Sequence, residues 1–402
     1  MKNVLVNLGF LLPYRYLKSV MRRVQFLIDG FFLHEVEPKK DVALIRLDAI
    51  GDFIVWLDTA KEFRSLYPSE RIVLIANKSW ADLAATLPYW DDVWPIDGAL
   101  FLRLGWYRLG CIKKISGYGF RLAIHPGYSR RTSLGDSVVR ATKATETIAP
   151  SRDLNNSVVP VKERAIADAW YSKIVPSAPE GTTELDRNAD FLRALLDDSK
   201  GFEPSLPKLP ASKHNIDLGD YFVVVPGASW QGRMWSASNF STVILRVREQ
   251  YGLRAILCGG IAEKSLCQQI INEVKGDAVN YAGDTSLAEL AGLIAGARAV
   301  LTNETSAVHF ATAVGTPSVC IVGGGHFGRF VPYPEKIFGV KPIVVNFRMG
   351  CYGCNWSCTE RFIEGHAVPC IERITVDNVL DAIDQAIDRN ETNIERKFRG
   401  NN

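Results

Sequence analysis

The sequence predicts an α/β protein made of two domains, each with a parallel sheet covered by helices. Three observations lead there. Short aliphatic runs bounded by polar residues alternate with stretches of helical spacing, the signature of strand–helix–strand units. The alternation breaks at a proline-bearing stretch and then starts again. At 402 residues the chain is also too long for a single ordinary core.

Asp41–Leu47 (DVALIRL) reads as the first buried strand, followed by the tight turn Asp48-Ala49-Ile50-Gly51-Asp52 and a helix over Phe53–Leu66. Arg71–Ala76 is the next strand, Ser79–Thr86 the next helix, and Val93–Ile96 and Leu122–Ile124 are further strands. Residues 150–215 are polar and proline-broken, with a helical piece around Asn188–Asp197. Pro204–Asp217, with prolines at 204, 207 and 210, is the linker candidate. The pattern then resumes: Tyr221–Val225 strand, Asn239–Tyr251 helix, Arg254–Cys258 strand and Glu263–Val274 helix. Leu287–Ala295 (helix), Ala299–Thr302 (strand), Ser306–Val314 (helix) and Ser318–Val322 (strand) complete it. The expected organisation is a basic segment over 1–40, a first domain over 41–205, a linker over 206–218, a second domain over 219–385 and a polar tail over 386–402. Ligand clefts are expected at the carboxyl ends of such strands.

Composition narrows the function. Hydrophobic and charged shares of 47% and 23% are ordinary globular values, and a formal net charge of +3 gives no reason to expect nucleic acid as a partner. No apolar run reaches the roughly 18–20 residues of a spanning helix. Cys111, Cys258, Cys267 and Cys320 lie scattered among apolar residues and read as buried thiols of a reducing compartment. The expected location is therefore cytoplasmic. The N-terminus interleaves Arg15, Lys18, Arg22 and Arg23 with Tyr14, Leu17, Val20, Met21 and Phe26. This basic amphipathic segment admits two readings, a helix packed on the protein or one that meets an anionic membrane surface.

Three segments carry chemistry. In Ala299–Gly315 a strand ends at Asn303-Glu304-Thr305-Ser306 and a helix begins at once, so Thr305 or Ser306 can cap it and its free N–H groups can take a phosphate. Glu304 suits sugar or ribose hydroxyls as an acceptor, or simply favours the helix start. His309, one turn in, is either a core histidine or a support of the site. In Val225–Trp235 (VPGASWQGRMW), small residues follow a strand, Ser229 can donate to a phosphate oxygen, and Arg233 can neutralise one. In Arg46–Asp52 (RLDAIGD), Asp52 at the helix mouth is an N-cap or a functional carboxylate.

In this order and spacing, RLDAIGD, PGASWQGRMW and NETSAVHFATAVGTP resemble the family 9 glycosyltransferases, the ADP-heptose:lipopolysaccharide heptosyltransferases and their relatives, over roughly residues 41–385. The resemblance implies a GT-B fold, with two Rossmann-like domains facing across a cleft. The nucleotide sugar, ADP-linked, would sit on the second domain and a glycolipid or oligosaccharide acceptor on the first. It makes Asp52 the catalytic base, Ser229 and Arg233 phosphate contacts, Glu263 the partner of the nucleoside ribose, and Glu304-Thr305-Ser306 the contact with donor sugar and diphosphate, with His309 behind. Arginine stands at 233 where relatives often have lysine, glutamate replaces aspartate at 304, and serine replaces glycine at 306; the last two leave the donor sugar open.

His125-Pro126-Gly127-Tyr128-Ser129-Arg130-Arg131 falls where the family presents acceptor-facing residues, so His125, Arg130 and Arg131 are acceptor candidates; a solvated loop is the alternative. Cys351, Cys354, Cys358 and Cys370 have one clear Cys-x2-Cys and a looser remainder, compatible with a structural zinc, with buried free thiols or with redox chemistry. No Asp-x-Asp motif stands in the cleft segments, so no catalytic metal and no cofactor beyond the co-substrate is expected. The sequence thus reads as an inverting glycosyltransferase acting from a nucleotide-diphospho-sugar. A nucleotide-sugar epimerase and a non-catalytic nucleotide-sugar-binding protein on the same fold are the alternatives.

Overall fold

In a computed structural model, residues 20–152, 161–176, 181–196, 201–211, 219–276 and 278–399 are described. Among the described residues, twelve strands form two six-stranded sheets, every pairing parallel. The first contains β1 (Val42–Arg46), β2 (Ile72–Asn77), β3 (Asp92–Ile96), β4 (Leu122–Ile124), β5 (Glu146–Pro150) and β6 (Lys173–Val175), in the order β3-β2-β1-β4-β5-β6. The second contains β7 (Tyr221–Val225), β8 (Arg254–Leu257), β9 (Ala278–Asn280), β10 (Val300–Asn303), β11 (Ser318–Ile321) and β12 (Ile343–Val345), in the order β12-β11-β10-β7-β8-β9. Counted from its own first strand, each sheet has the doubly wound dinucleotide-fold order. Its winding reverses beside that first strand, between β1 and β4 and between β7 and β10, and such a switch point is where a crevice opens.

The central strands explain this placement. β1 and β7 are buried along their whole length, as apolar runs covered on both faces must be. Around β7, Phe222, Trp235, Phe240 and Val243 join Ile383 and Ile387 in one core; each such side chain contributes about 1.5–3 kcal/mol by leaving water. Around β1, Ile45, Phe101, Ile112 and Phe120 form another. Four strands are absent from the sequence reading: the edge strands β6, β9 and β12, of three residues each and only partly buried, and β5 beside β6, whose ETIAP has one branched aliphatic residue.

Contacts divide the chain into two compact units. One holds residues 1–49, 60–178 and 190–201; the other holds 50–59, 179–189 and 202–402. The expected boundary near residue 205 is therefore corrected in part. The helix Ile50–Ala60 groups almost wholly with the second unit, where Val55 shares a small core with Val308, Cys320, Val322 and Tyr333.

The expected linker is also partly structural: Leu206 and Leu209 are buried, Ser205 donates to Asp58 at 2.5 Å, and Leu209 N–H bonds to the Ala313 carbonyl. Its remainder over 212–218 lies outside the described residues. The polar tail expected over 386–402 is corrected too. Val376–Arg399 is one helix whose Val379, Ile383, Ala386 and Ile387 face the second core, an apolar stripe at helical spacing within a charged segment. Residues 400–402 lie outside the described part. Among the described residues, no helix is long and apolar enough to cross a membrane.

Candidate active site

At the switch point of the second sheet, the loop after β7 meets the end of β10. Asn303, fully buried, stitches them together: its amide donates to the Pro226 carbonyl at 2.7 Å and its oxygen accepts from Trp235 N–H at 3.2 Å. In the sequence Asn303 is marked only as the end of a strand. From the loop, Arg233 donates through Nη2 to the Glu304 carbonyl at 2.5 Å, lies 3.6 Å from the Glu304 carboxylate, and reaches Ser229 Oγ at 3.4 Å. The loop and the β10 end thus present one basic and one acidic group side by side.

Glu304 is 6% exposed, and neither carboxylate oxygen has a hydrogen bond, nor does Arg233 Nε. Burial pushes the carboxyl up from 4.5 to about 7, with Arg233 pulling the other way. Such an unsatisfied carboxylate is costly unless something completes it. Immediately after it, Thr305 caps the helix Ser306–Val314, its hydroxyl accepting from Ala307 N–H at 3.4 Å. Thr305 and Ser306 are half-exposed at a helix start, a place suited to an anion.

Glu263 stands on the opposite side of the same loop. A β-carbon on Gly227 would meet its Cγ at 2.3 Å, so glycine there lets the carboxylate lie against the backbone after β7. His309 is buried and shares a 2.7 Å hydrogen bond with Tyr333 through Nδ1; burial lowers it to about 4, so the ring is neutral. Its Cδ2 lies 3.2 Å from where a β-carbon on Gly51 would be. Gly51 and Asp52 open the Ile50–Ala60 helix, so His309 sits under the helix that carries Asp52. Because that helix begins at Ile50, Asp52 is in its first turn, and the N-cap explanation of Asp52 is corrected. Asp52 is half-buried.

In the first unit, the turn after β1 is pinned where Asn77 and Trp80 both donate to the Asp48 carbonyl at 3.0 Å. The three acceptor candidates have separate fates. His125 is buried, and desolvation takes it down to about 3. Arg130 is buried as well, bonded to the Pro150 carbonyl and paired with Asp136 at 3.2 Å and Asp168 at 3.1 Å. Arg152 reaches both acids, at 2.6 and 2.8 Å, and Tyr171 donates to Asp136. Desolvation raises the Asp136 carboxyl, but Arg152 and Arg130 together bring it below its usual value. His125 and Arg130 are thus held in the interior of the first unit. Arg131 is exposed.

A scan against protein families matches residues 137–346 to glycosyltransferase family 9 (heptosyltransferase), just over half of the chain. The chain belongs to glycosyltransferase family 9. It is an enzyme of the glycosyltransferase class, with the GT-B type of α/β fold. Solved structures agree on the fold. A family 9 glycosyltransferase from Veillonella parvula superposes with a TM-score of 0.65 at 15% identity, over 89% of this chain and 99% of that one. E. coli ADP-heptose lps heptosyltransferase II gives 0.63 at 14%, over 87% and 99%. E. coli heptosyltransferase WaaC with ADP gives 0.58 at 14%, over 88% and 98%. No curated protein matches the chain.

Within this family 9 chain, the late cysteines lie near one another, with Cys370 in electrostatic reach of Cys351, Cys354 and Cys358. Cys370 is buried and its sulfur accepts from Gly324 N–H at 3.4 Å, while Cys358 contacts the Glu360 carbonyl. Among the described residues no group of three or more His, Cys, Asp or Glu is arranged to hold a metal ion, and Cys351, Cys354, Cys358 and Cys370 are free thiols. What the cysteine-bearing loop does deliver is Trp356. Its ring lies 4.8 Å from the Arg233 guanidinium and 6.1 Å from Trp230, it donates to His326 Nδ1 at 3.2 Å, and it covers Gly325 so closely that a β-carbon there would stand 2.3 Å from it. Asn355 and Trp356 both have positive φ, 50° and 60°, a strained pair for non-glycine residues. No spacing rule singles out Trp356 in the sequence.

Proposed function

We propose that this glycosyltransferase transfers heptose or a related sugar, with inversion, from an ADP-linked donor to a hydroxyl of a lipopolysaccharide-type or other glycan acceptor. The observation that carries the donor assignment is the buried Glu304 carboxylate without hydrogen bonds, set beside Arg233 at the start of a helix. Sugar hydroxyls donating to Glu304 would satisfy it, and the diphosphate would lie against Arg233, Ser229, Thr305 and Ser306. Glu263 beside Gly227 would take the ribose hydroxyls. The ADP and ADP-2-deoxy-2-fluoro heptose named with E. coli WaaC support adenine as the base.

In the reaction, the acceptor oxygen attacks the anomeric carbon as the bond to the diphosphate oxygen breaks. Asp52 takes the hydroxyl proton, and the leaving charge is met by Arg233 and the Ser306 helix start. His309, neutral and tied to Tyr333, holds position behind that start. Arg131 is the acceptor-side cation, fitting a phosphorylated or acidic glycan. Work on such an acceptor places the enzyme in the cytoplasm, at the inner membrane surface.

A thermal-shift panel of ADP-, GDP-, UDP- and dTDP-sugars, followed by mass spectrometry of acceptor with the stabilising donor, tests this. Stabilisation by ADP-heptose and an acceptor gaining one heptose unit are expected. Stabilisation by a different nucleotide alone, or donor consumed with no acceptor product, would overturn it.

A further inference from the structure

The helix over 20–31 is inside out. Its protein-facing side is polar or anchored. Asp29 is buried and accepts from Arg108 Nε at 2.9 Å and Nη2 at 2.5 Å. Arg22 pairs with Glu163 at 3.1 Å. Phe26 is buried edge-on against Trp170, and its carbonyl accepts from Arg140 at 2.6 Å. Its solvent side is apolar: Val20, Val24, Leu27 and Phe31 line one face, with Ile28 and Met21 beside them. Leu27 is 67% exposed and Phe31 88%. An ordinary surface helix is built the other way round, and a contiguous exposed apolar stripe marks a surface made to be covered.

Charge selects what covers it. Asp29 is the only acid in residues 1–31, and Arg108 already neutralises it. Arg23 is exposed at the edge of the stripe, and the exposed Lys113 sits with Nζ 4.7 Å from the Phe32 ring. Arg15 and Lys18 precede them in sequence. Glu35, in the stretch that follows, is paired with Lys143 at 3.4 Å. The helix Gly105–Ser116, which carries Arg108 and Lys113, also presents Trp106 at 72% exposure, an amphipathic ring suited to a headgroup region. An apolar centre with a cationic rim is the composition of a helix lying in a lipid interface.

We propose that this face docks on an anionic lipid surface, with Leu27, Phe31 and Val24 entering the acyl boundary and Arg23 and Lys113 meeting headgroups. The inference rests on the reading of a lipid-linked acceptor, which such docking would bring within reach. The test is sedimentation of the full-length protein with phosphatidylcholine–phosphatidylglycerol vesicles at roughly 3:1, against phosphatidylcholine alone. No nucleotide sugar is present, so vesicle binding stands or falls apart from the transfer reaction. Wild type should sediment with the mixed vesicles, and less so as salt rises. Leu27→Glu with Phe31→Glu, both on the solvent face, should keep the melting temperature and activity on a soluble acceptor fragment, yet lose binding roughly 100-fold. Equal binding to both vesicle types, unchanged binding by the double variant, or no vesicle binding by a wild type that the same substitutions convert from dimer to monomer, would each overturn the proposal.

Discussion

Arg233 holds Glu304 twice, donating to its carbonyl at 2.5 Å and standing 3.6 Å from its carboxylate. The pair joins the loop after β7 to the end of β10 at the switch point of the second sheet. Its state of charge is the most sensitive feature of the site, because the carboxylate is buried and lacks hydrogen bonds.

The first prediction concerns pH. Burial takes Glu304 from 4.5 to about 7 despite Arg233, so the folded protein keeps a proton that the unfolded chain releases. Stability should therefore fall as pH rises from about 4.5 to about 7, by roughly 3 kcal/mol at most. Glu304→Gln should flatten that decline and be the more stable protein at pH 8. Urea unfolding of the two proteins across this range checks it; parallel curves would contradict the assignment.

Arg233→Ala should weaken use of the donor by roughly one to two orders of magnitude, the cost of one charge-assisted contact. Glu304→Ala should instead change which sugar is accepted, since an acceptor built for hydroxyls discriminates strongly. Steady-state kinetics with paired donors separate the two.

Trp356 stacks on Arg233 without reaching past it, so it acts as a positioning residue. Trp356→Leu should raise the donor KM by roughly threefold to thirtyfold, the range of a cation–π contact, and leave kcat near wild type. A fall in kcat with unchanged KM would place Trp356 elsewhere in the cycle.

Asp52→Asn should lower kcat by about 10²–10⁴-fold, the usual worth of a general base, with donor affinity little changed. Single-turnover rates at saturating donor, beside a melting curve, provide the measurement. Wild-type turnover in the folded variant rules Asp52 out as the base.

Arg130→Ala should act on stability. Removing one member of a buried ion network leaves Asp136 to Arg152 and Tyr171 alone, at a cost of about 1.5–3 kcal/mol for the lost charge-assisted contacts. Arg131→Ala, on the exposed neighbour, should leave stability within about 0.5 kcal/mol and raise the acceptor KM. Denaturant melts of both variants distinguish the two arginines that the sequence presents as equals.

The sequence by itself determined the fold class and the central strands. β1 and β7 are uninterrupted aliphatic runs, and such a run reports burial on both faces without any knowledge of neighbours. Ser229, Arg233, Glu263 and Glu304 follow the ends of β7, β8 and β10, the side of such a sheet on which ligands are expected. What only the tertiary structure decided depends on partners distant in sequence. Arg130 and Arg131 are chemically identical and adjacent, and burial against Asp136 and Asp168 tells them apart. Trp356 meets Arg233 from more than a hundred residues away. The direction of the 20–31 helix is of the same kind. Its amphipathic pattern is plain in the sequence, yet an apolar stripe normally turns inward. Only the buried pairing of Asp29 with Arg108 shows that here it turns out.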